Sequence, residues 1–371
     1  MKDLSILIVG AGIGGLSAAI ALRKKGFAVE MIEKDPTWSV YGVGIIQQSN
    51  VVRAAAQLGI LDRYLDAGFG FSHVDVFAPT GEHVAHLEIP TLAEGFPAAL
   101  GVSRPELQRV LGDAAREAGA TIRLGLTVDR IENLSDRVDV VFSNGTSGRY
   151  DLVIGADGVF SDMRERILPQ APRPEFTGQS VWRYNLPRPE DIVTLHAYEG
   201  VNGIGLVPLS DDLMYMYLTT AEPGNPRYDR KGIAAAMRAK LSKASARIRQ
   251  LAAQITDDEG VVYKPLESVF VRGKWHENRV VLIGDAVHAT TPHLGQGAGM
   301  AIEDGIVLAE ELDSAPSIEE AFRNYRERRF DRCRFIVETS RAICDSQLGK
   351  RAVVNTEDAT REMFEVTAQP I

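Results

Sequence analysis

Two glycine-rich segments that lie far apart in the chain have the residue types that hold a dinucleotide. The first, GAGIGG at residues 10–15, directly follows the apolar run 4–9. A strand, a tight turn and a helix start in this order bring backbone N–H groups against a pyrophosphate. Gly10 supplies the backbone angles of the turn, Gly12 leaves room for the phosphates, and Gly15 lets the helix pack on the strand.

The second segment spans residues 284–299, beginning with GDAVH and ending with GQGAG. It follows the run RVVLI at 279–283, whose continuous apolar character predicts a buried parallel strand. Ligands of open α/β sheets bind outside the carboxyl ends of such strands. We therefore expect both segments to serve one cofactor.

The elements around the first segment form a complete nucleotide-binding pattern. A helix is predicted from residue 16 to residue 25, and Gly26 ends it. A second strand at 28–32 ends at Glu33, about 20 residues past the glycines, where a ribose-binding carboxylate belongs. The alternative is a glycine turn that serves packing alone. The ordered strand, turn, helix, strand and acid favour the dinucleotide.

The middle of the chain has a different pattern. Short strands rich in aromatic residues are predicted at 181–184, 193–198, 203–207 and 213–218, which is typical of an antiparallel sheet. Strands are also predicted at 73–77 and 83–89, together with a long helix over 232–255 and a strand near 261–271. No repeat or long linker separates these regions, so we expect interleaved domains.

Composition limits the class of protein. A chain of 371 residues with 45% hydrophobic and 25% charged residues suggests a soluble globular enzyme of two domains. The net charge of -9 disfavours nucleic acid and anionic membranes as partners, so a substrate anion would need a local basic group. Only Cys333 and Cys344 occur, which favours a reduced, cytoplasmic setting. The glycines within 4–22 argue against a stable membrane span.

Other polar clusters have simpler interpretations. His73, His83 and His86 lack the cysteine or carboxylate spacing of a metal site, so no metal is predicted. His288 is predicted to be structural. The arginine-rich stretch 323–334 is interspersed with acids, which predicts a solvated helix face.

Three motifs together give the chain a resemblance to a known family. They are GAGIGG with Glu33, GADG at 155–158 with Ser161 and Arg164, and GDA at 284–286 followed by His288, Pro292, Gly295, Gln296, Gly297, Glu303 and Asp304. Their order and spacing resemble the single-component (class A) FAD-dependent aromatic hydroxylases, which include para-hydroxybenzoate and salicylate hydroxylases. The resemblance spans nearly the whole chain.

The resemblance implies which residues contact FAD. The first motif and Glu33 would hold the ADP half, Asp285 the ribityl region, and residues 292–299 would run along the isoalloxazine. Many relatives have asparagine where this chain has Gly299, which leaves that flavin contact open. The implied cofactor-binding residues are Gly10, Gly12, Gly14, Gly15, Glu33, Lys34, Gln47, Arg104, Asp157, Asp285, Gly295, Gln296, Gly297, Ala298 and Gly299.

The resemblance also implies the chemistry. NADH or NADPH would reduce FAD, O2 would add at flavin C4a, and the hydroperoxide would hydroxylate an electron-rich ring. The aromatic sheet offers Arg183 as counterion, and His196, Tyr198, Tyr215 and Tyr217 as hydrogen-bonding groups, with Pro292 beside the flavin. Strand alternation puts Tyr215 with Tyr217 and His196 with Tyr198, but it leaves open which face points inward.

The implied fold is α/β: a Rossmann-like FAD-binding domain, interleaved with a mixed or antiparallel-sheet substrate domain, and a C-terminal helical segment. The expected boundaries are 1–70, 98–175 and 275–310 for the first, 71–97 and 176–274 for the second, and 311–371 for the third. The expected partner is a small hydroxylated aromatic or N-heteroaromatic substrate, acted on by a monomer or homodimer. Two alternatives stay open: a larger polycyclic natural product or drug as substrate, and a flavin-binding, redox-responsive protein without turnover.

Overall fold

The structure is a computed structural model and describes residues 4–200 and 202–371. Its strands are β1 Ser5–Val9, β2 Ala28–Glu33, β3 Gly44–Gln47, β4 Gly68–Phe71, β5 His73–Phe77, β6 His83–Glu88, β7 Ala99–Ser103, β8 Thr121–Leu124, β9 Val128–Asn133, β10 Val138–Phe142, β11 Ser147–Tyr150, β12 Leu152–Gly155, β13 Glu175–Pro187, β14 Leu195–Tyr198, β15 Ile204–Pro208, β16 Leu213–Ala221, β17 Val262–Ser268, β18 His276–Glu277 and β19 Val280–Leu282. Its helices are α1 Ile13–Lys24, α2 Ser49–Leu58, α3 Leu61–Asp66, α4 Arg104–Glu117, α5 Asp162–Ile167, α6 Ile233–Lys240, α7 Ala246–Ala252, α8 Asp285–His288, α9 Gly297–Ser314, α10 Ile318–Gln347 and α11 Thr356–Ala368, with a 3-10 turn at Pro292–Leu294.

The fully apolar runs of the sequence form a six-stranded sheet in the order β18-β19-β12-β1-β2-β8. Strands β19, β12, β1, β2 and β8 are parallel, and only β18 runs the other way. Leu7 and Ile8 of β1 point to opposite faces and are both fully buried, so both faces of this sheet are covered. The carboxyl ends of β19, β12 and β1 therefore lie side by side at one edge.

A seven-stranded sheet has the order β17-β13-β16-β15-β14-β5-β6. It is antiparallel except where β14 runs parallel to β5. Alternation divides its side chains between two faces. Trp182, Met216 and Leu218 pack against α6 and α7 on one face, and their neighbours in the strands line a cavity on the other.

The predicted α/β fold with a second mixed sheet and C-terminal helices is confirmed. The chain passes repeatedly between the sheets: the six-stranded sheet draws on residues 5–33, 121–124, 152–155 and 276–282, and the seven-stranded sheet on 73–88 and 175–268. The domain boundaries given above remain predictions. Among the residues described, no helix is both long enough and apolar enough to cross a bilayer.

Two local predictions were wrong. The long helix over 232–255 is two helices, because Ser245 Oγ accepts a hydrogen bond from the backbone N–H of Ile248 and so begins a new helix. The arginine stretch of α10 is not wholly solvated. Arg329 and Arg332 are buried, and they pair with Glu303 of α9.

Candidate active site

The three glycine-containing motifs meet at the carboxyl edge of the six-stranded sheet. GAGIGG follows β1, GADG includes the end of β12, and Gly284 comes two residues after β19. The backbone N–H of Ala156 donates to Val9 O at 2.8 Å, and that of Ile283 donates to Gly155 O at 3.0 Å. The pairing of adjacent parallel strands thus brings together segments that are distant in the sequence.

A cavity of about 1310 Å³ begins at this edge and extends beneath the seven-stranded sheet. Single drug-sized ligands occupy cavities of about 300–1,000 Å³, so this volume suits two ligands side by side. Its lining includes Gly12, Ile13, Gly14, Gln48, Arg104, Ala156, Gly158, Arg183, Tyr215, Tyr217, Asp285, Pro292, His293, Gly295, Gly297 and Ala298.

The glycines of the first motif have different surroundings. A Cβ on Gly15 would lie 2.1 Å from Gly10 O, and one on Gly10 would lie 2.4 Å from Ala156 O, so both serve close packing. A Cβ on Gly12 would meet no atom within 4 Å and would enter the cavity at the N-terminus of α1. Open space beside a helix N-terminus is what a pyrophosphate requires, so this end of the cavity fits a dinucleotide.

The two charged residues at the end of this βαβ unit, Glu33 and Lys34, differ in position. Glu33 ends β2, and its Oε2 accepts a hydrogen bond from the backbone N–H of Ala11 at 3.0 Å, inside the glycine turn. Lys34 is exposed and does not line the cavity. The Glu33 carboxylate therefore lies next to the glycine turn, but neither Glu33 nor Lys34 lines the cavity. The ribose contact that the resemblance implies for Glu33 stays a prediction.

Asp285, at the start of α8, and Arg104, at the start of α4, both face the cavity. Asp285 is exposed and lines the cavity. Desolvation raises the pKa of its carboxyl, and the charges of His288 and Arg104 oppose this shift. Desolvation likewise lowers the pKa of the Arg104 guanidinium. Asp285 and Arg104 thus place one acidic and one basic group between the dinucleotide end of the cavity and the seven-stranded sheet.

The carboxylate of Asp157 does not line the cavity. Its Oδ1 accepts a hydrogen bond from the Ser161 hydroxyl at 2.5 Å, and its Oδ2 accepts one from the backbone N–H of Met163 at 2.9 Å. It therefore holds the start of α5, while its neighbours Ala156 and Gly158 face the cavity. The structure therefore does not place the Asp157 carboxylate, a predicted cofactor contact, at the cavity.

Residues 295–299 divide between the cavity and a buried network. Gly295, Gly297 and Ala298 line the cavity, but the Gln296 side chain is fully buried and exchanges two hydrogen bonds of 3.0 Å with Asn50. A Cβ on Gly299 would lie 2.7 Å from Gln296 Oε1. Gly299 thus makes room for this network, which accounts for the absence of asparagine here.

The structure does not bring the Gln47 side chain, a predicted cofactor contact, to the cavity. The Gln47 side chain is fully buried, where it accepts from the Tyr64 hydroxyl and donates to Ile46 O. Gln48 lines the cavity instead, with its Nε2 3.0 Å from Leu294 O. Gln47 is the last residue of β3, whereas Gln48 follows the strand and directly precedes α2.

The sheet end of the cavity is basic and aromatic. Arg183 of β13 pairs directly with Tyr217 of β16, and Tyr215 lies two residues away on the same face, with ring centroids 6.1 Å apart. Desolvation, reinforced by the charge of Arg104, lowers the pKa of Arg183 to about 10. Desolvation raises the pKa of Tyr217 to about 12 and raises that of Tyr215 as well. At neutral pH the Arg183 guanidinium is therefore charged, and the hydroxyls of Tyr215 and Tyr217 are neutral.

His196, a predicted catalytic residue, is on the wrong face of the sheet. Leu195 and Ala197 line the cavity, so alternation directs His196 to the opposite face, where its Nε2 lies 3.8 Å from Asp75 Oδ2. Pro292, by contrast, lines the cavity as predicted, at the start of the 3-10 turn.

Sequence reasoning missed His293. It lines the cavity next to Pro292, with Nδ1 2.9 Å from Thr291 Oγ1 and Nε2 3.2 Å from Gln347 Oε1. Desolvation lowers the pKa of His293 to about 4, so the ring is neutral at pH 7. The one feature of the sequence that could have indicated His293 is its position between Pro292 and the glycine turn at 295–297. Met363 and Phe364 of α11 also line the cavity, but no motif in the sequence indicated them.

A buried ion cluster stands behind the third motif. Asp304 Oδ2 lies 2.6 Å from His288 Nε2, and Asp304 Oδ1 accepts a hydrogen bond from Arg329 Nε at 2.8 Å. Arg329 Nη1 also lies 2.7 Å from Glu303 Oε2. These two groups form an ion pair, but their angles do not meet those of a hydrogen bond. All four side chains are fully buried. His288 is therefore placed in a structural cluster.

Comparison with known proteins decides the family. Residues 3–340 match the family model described as FAD binding domain. The chain belongs to the FAD-dependent aromatic hydroxylases. This confirms the resemblance drawn from the three motifs, and with it the prediction of an FAD-dependent monooxygenase.

Two relatives and one solved structure show the extent of the similarity. The hydroxylase is 30% identical to an FAD-dependent urate hydroxylase of Klebsiella pneumoniae over an alignment of 380 positions, which covers 99% of this chain and 96% of the relative. It is 31% identical to 2-heptyl-3-hydroxy-4(1H)-quinolone synthase of Pseudomonas aeruginosa over 337 residues, covering 88% and 86%. Klebsiella pneumoniae HpxO complexed with FAD and uric acid superposes with a TM-score of 0.84 at 28% identity, covering 98% and 92%.

Proposed function

We propose that this hydroxylase uses NADH or NADPH, FAD and O2 to hydroxylate a small aromatic or N-heteroaromatic compound that carries a hydroxyl or carboxylate group. The observation that carries this proposal is the single cavity that joins Gly12 and Asp285 at one end to Arg183 and Tyr217 at the other. A cofactor and a substrate bound in it would be in contact. When bound and reduced, FAD supplies the activation of O2.

The residues at the sheet end suit an anionic aromatic substrate. Arg183 and Arg104 are near enough for the charge of each to influence the other, which makes this end locally basic in a chain of net charge -9. A phenolate or carboxylate placed there would be stabilised against desolvation, and a phenolate ring is more electron-rich than the phenol. The high pKa values of Tyr215 and Tyr217 make them hydrogen-bonding partners rather than bases.

The walls of the cavity exclude water from the reacting atoms. Val74, Val76, Leu195 and Ala197 form an apolar wall on one side. Phe364 of α11 lines the cavity as well. Such exclusion prevents loss of an activated oxygen to solvent.

The same apolar wall favours a second candidate, a larger substrate with an apolar extension. The relative named 2-heptyl-3-hydroxy-4(1H)-quinolone synthase has a product name that combines an N-heteroaromatic ring with an alkyl chain. Arg183 would then hold the polar ring and the wall of β5 and β14 would contact the extension. The two candidates differ only in substrate length.

The test is turnover by the purified, FAD-loaded protein. NADH and NADPH oxidation would be measured with hydroxybenzoates, hydroxypyridines, urate and 4-quinolones with and without an alkyl chain, using isotopically labelled O2. We expect oxidation stimulated by at least one class and a product that contains one labelled oxygen atom. Stimulation confined to alkylated rings would select the second candidate. Flavin reduction without any oxygenated product would reject both and favour a redox-responsive protein without turnover.

A further inference from the structure

Four of the seven histidines of the chain surround one carboxylate on the outer face of the seven-stranded sheet. The carboxylate is Asp75, at the centre of β5. The sequence interpretation found no cysteine or carboxylate spacing of a metal site near His73, His83 and His86, because it weighed spacing along the chain only. The histidines are His73, His83, His86 and His196.

Strand register explains the convergence. β5 lies between β6 and β14, and Asp75 is paired directly with His86 on one side and His196 on the other. Directly paired residues project from the same face. His73 precedes Asp75 by two residues and shares this face, and a register shift after Val76 brings His83 opposite Phe77.

The distances suit donors around one ion. Asp75 Oδ1 lies 2.9 Å from His86 Nδ1 and 3.2 Å from His83 Nε2. Asp75 Oδ2 lies 3.8 Å from His196 Nε2 and 4.0 Å from His73 Nε2. With metal–ligand bonds of about 2.0–2.1 Å, the donors of a tetrahedral zinc site are about 3.3 Å apart.

The cluster is also accessible and lacks a competing cation. The side chains of His73 and His86 are 30% and 46% exposed, so an ion can enter from solvent. Within residues 4–200 and 202–371, each ion pair of Asp75 is with a histidine, and no lysine or arginine pairs with its carboxylate. The rings of His73 and His86 stack at 4.3 Å, which limits their freedom before an ion binds.

We propose that His73, Asp75 and His86 bind a divalent transition-metal ion of the zinc type, with His83 or His196 as the fourth ligand. Donor atoms of the first three lie within 4.8 Å of one another. Imidazole donors favour zinc, nickel, cobalt or copper over magnesium and calcium, which prefer oxygen. The ion would tie β5 to β6, and also to β14 if His196 is the fourth ligand. It would lie behind the apolar wall that Val74, Val76 and Leu195 present to the cavity.

The experiment uses the FAD-loaded full chain without a polyhistidine tag, after removal of metals with a chelator. Zn²⁺ binding would be measured by calorimetry, and Co²⁺ binding by difference absorption in the visible range. We expect one equivalent of Zn²⁺ with a dissociation constant of about 1 μM or lower and an absorption of tetrahedral Co²⁺ that Zn²⁺ abolishes. Millimolar affinity or an octahedral Co²⁺ spectrum would overturn the proposal.

Variants assign the ligands. His86→Gln and Asp75→Asn should each weaken Zn²⁺ binding by at least about 10-fold, the lower range for disrupted metal sites. His276→Gln removes a histidine outside the cluster and should leave the affinity unchanged. Whichever of His83→Gln and His196→Gln has the larger effect identifies the fourth ligand. FAD content and circular dichroism would verify that each variant is folded, and unchanged affinity in a folded His86→Gln protein would also overturn the proposal.

Discussion

The carboxylate of Asp304 accepts a hydrogen bond from the backbone N–H of Gly284 at 2.8 Å. Gly284 immediately precedes Asp285, which faces the cavity, whereas Asp304 belongs to α9 and is paired with Arg329 of α10. The buried ion cluster therefore holds the cofactor-facing segment from behind. We therefore expect the cluster to contribute both to the free energy of unfolding and to the affinity for FAD.

Replacing Asp304 with asparagine should destabilise the protein by about 3–5 kcal/mol, because it leaves Arg329 and His288 buried without their shared carboxylate. The cost should be near the lower figure, since Arg329 keeps its ion pair with Glu303. Urea unfolding at pH 7 measures this. Asp331→Asn, on the exposed face of α10, is the control and should change stability little; an equal effect of both variants would contradict the role of the cluster.

The Asp304 variant should also change the acid dependence of stability. His288 and Arg329 hold the pKa of the Asp304 carboxyl well below its usual range, although burial alone would raise it. The resulting stability is present above the unfolded pKa of about 3.9 and is lost as pH falls through the folded pKa. Wild-type protein should therefore lose this contribution in acid, and Asp304→Asn, which lacks it, should show a shallower decline.

Gly12→Val should remove FAD without unfolding the chain. The Gly12 backbone has φ of -82°, which any residue can adopt, and a side chain there would enter open space that the cofactor requires. We expect FAD affinity to fall by more than about 10-fold, with little change in the unfolding midpoint of the flavin-free protein. Gly15→Ala is the contrasting variant, with a destabilisation of about 1–3 kcal/mol from overpacking against Gly10 O. Normal flavin content in Gly12→Val would refute the assignment.

Arg183→Gln should weaken anion binding at the sheet end of the cavity. Salicylate binding to the FAD-loaded protein, followed by the flavin spectrum, should weaken by about 10–100-fold, as for loss of a hydrogen bond to a charged group. Salicylamide, the neutral analogue, should be affected much less. In wild-type protein, salicylate affinity should decline as pH rises through the Arg183 pKa of about 10. Equal losses for both ligands would indicate a packing role instead.

His293 should make the flavin-free protein less stable in mild acid. Its pKa is lowered to about 4 by desolvation, against about 6.5 when unfolded, so the unfolded state binds more protons between these values. Stability should therefore fall as pH decreases from about 6.5 to about 4. His293→Gln retains hydrogen-bonding capacity towards Thr291 and Gln347 but should lack this component. Identical pH dependence in the two proteins would show that another group is responsible.

The amino-acid sequence by itself determined the cofactor class and the main architecture. Gly12 and Glu33 belong to a local strand, turn, helix and strand pattern, which is set by short-range backbone requirements and apolar periodicity. The strand that precedes Asp285 and the strand that carries Arg183 were likewise visible, because burial on both faces gives a continuous apolar run and burial on one face gives alternation. These features were predictable since each depends on residues that are near neighbours in the chain.

Only the tertiary structure decided which faces and which distant partners these residues have. Alternation paired Tyr215 with Tyr217 and separated His196 from Leu195, but the packing of α6 and α7 selected the face that turns to the cavity. The burial of Arg329 depends on Asp304, an acid on another helix. The convergence of histidines on Asp75 depends on strand order. Contacts between residues that are far apart in the chain leave no periodic pattern in either segment. The sequence pattern therefore could not predict these contacts.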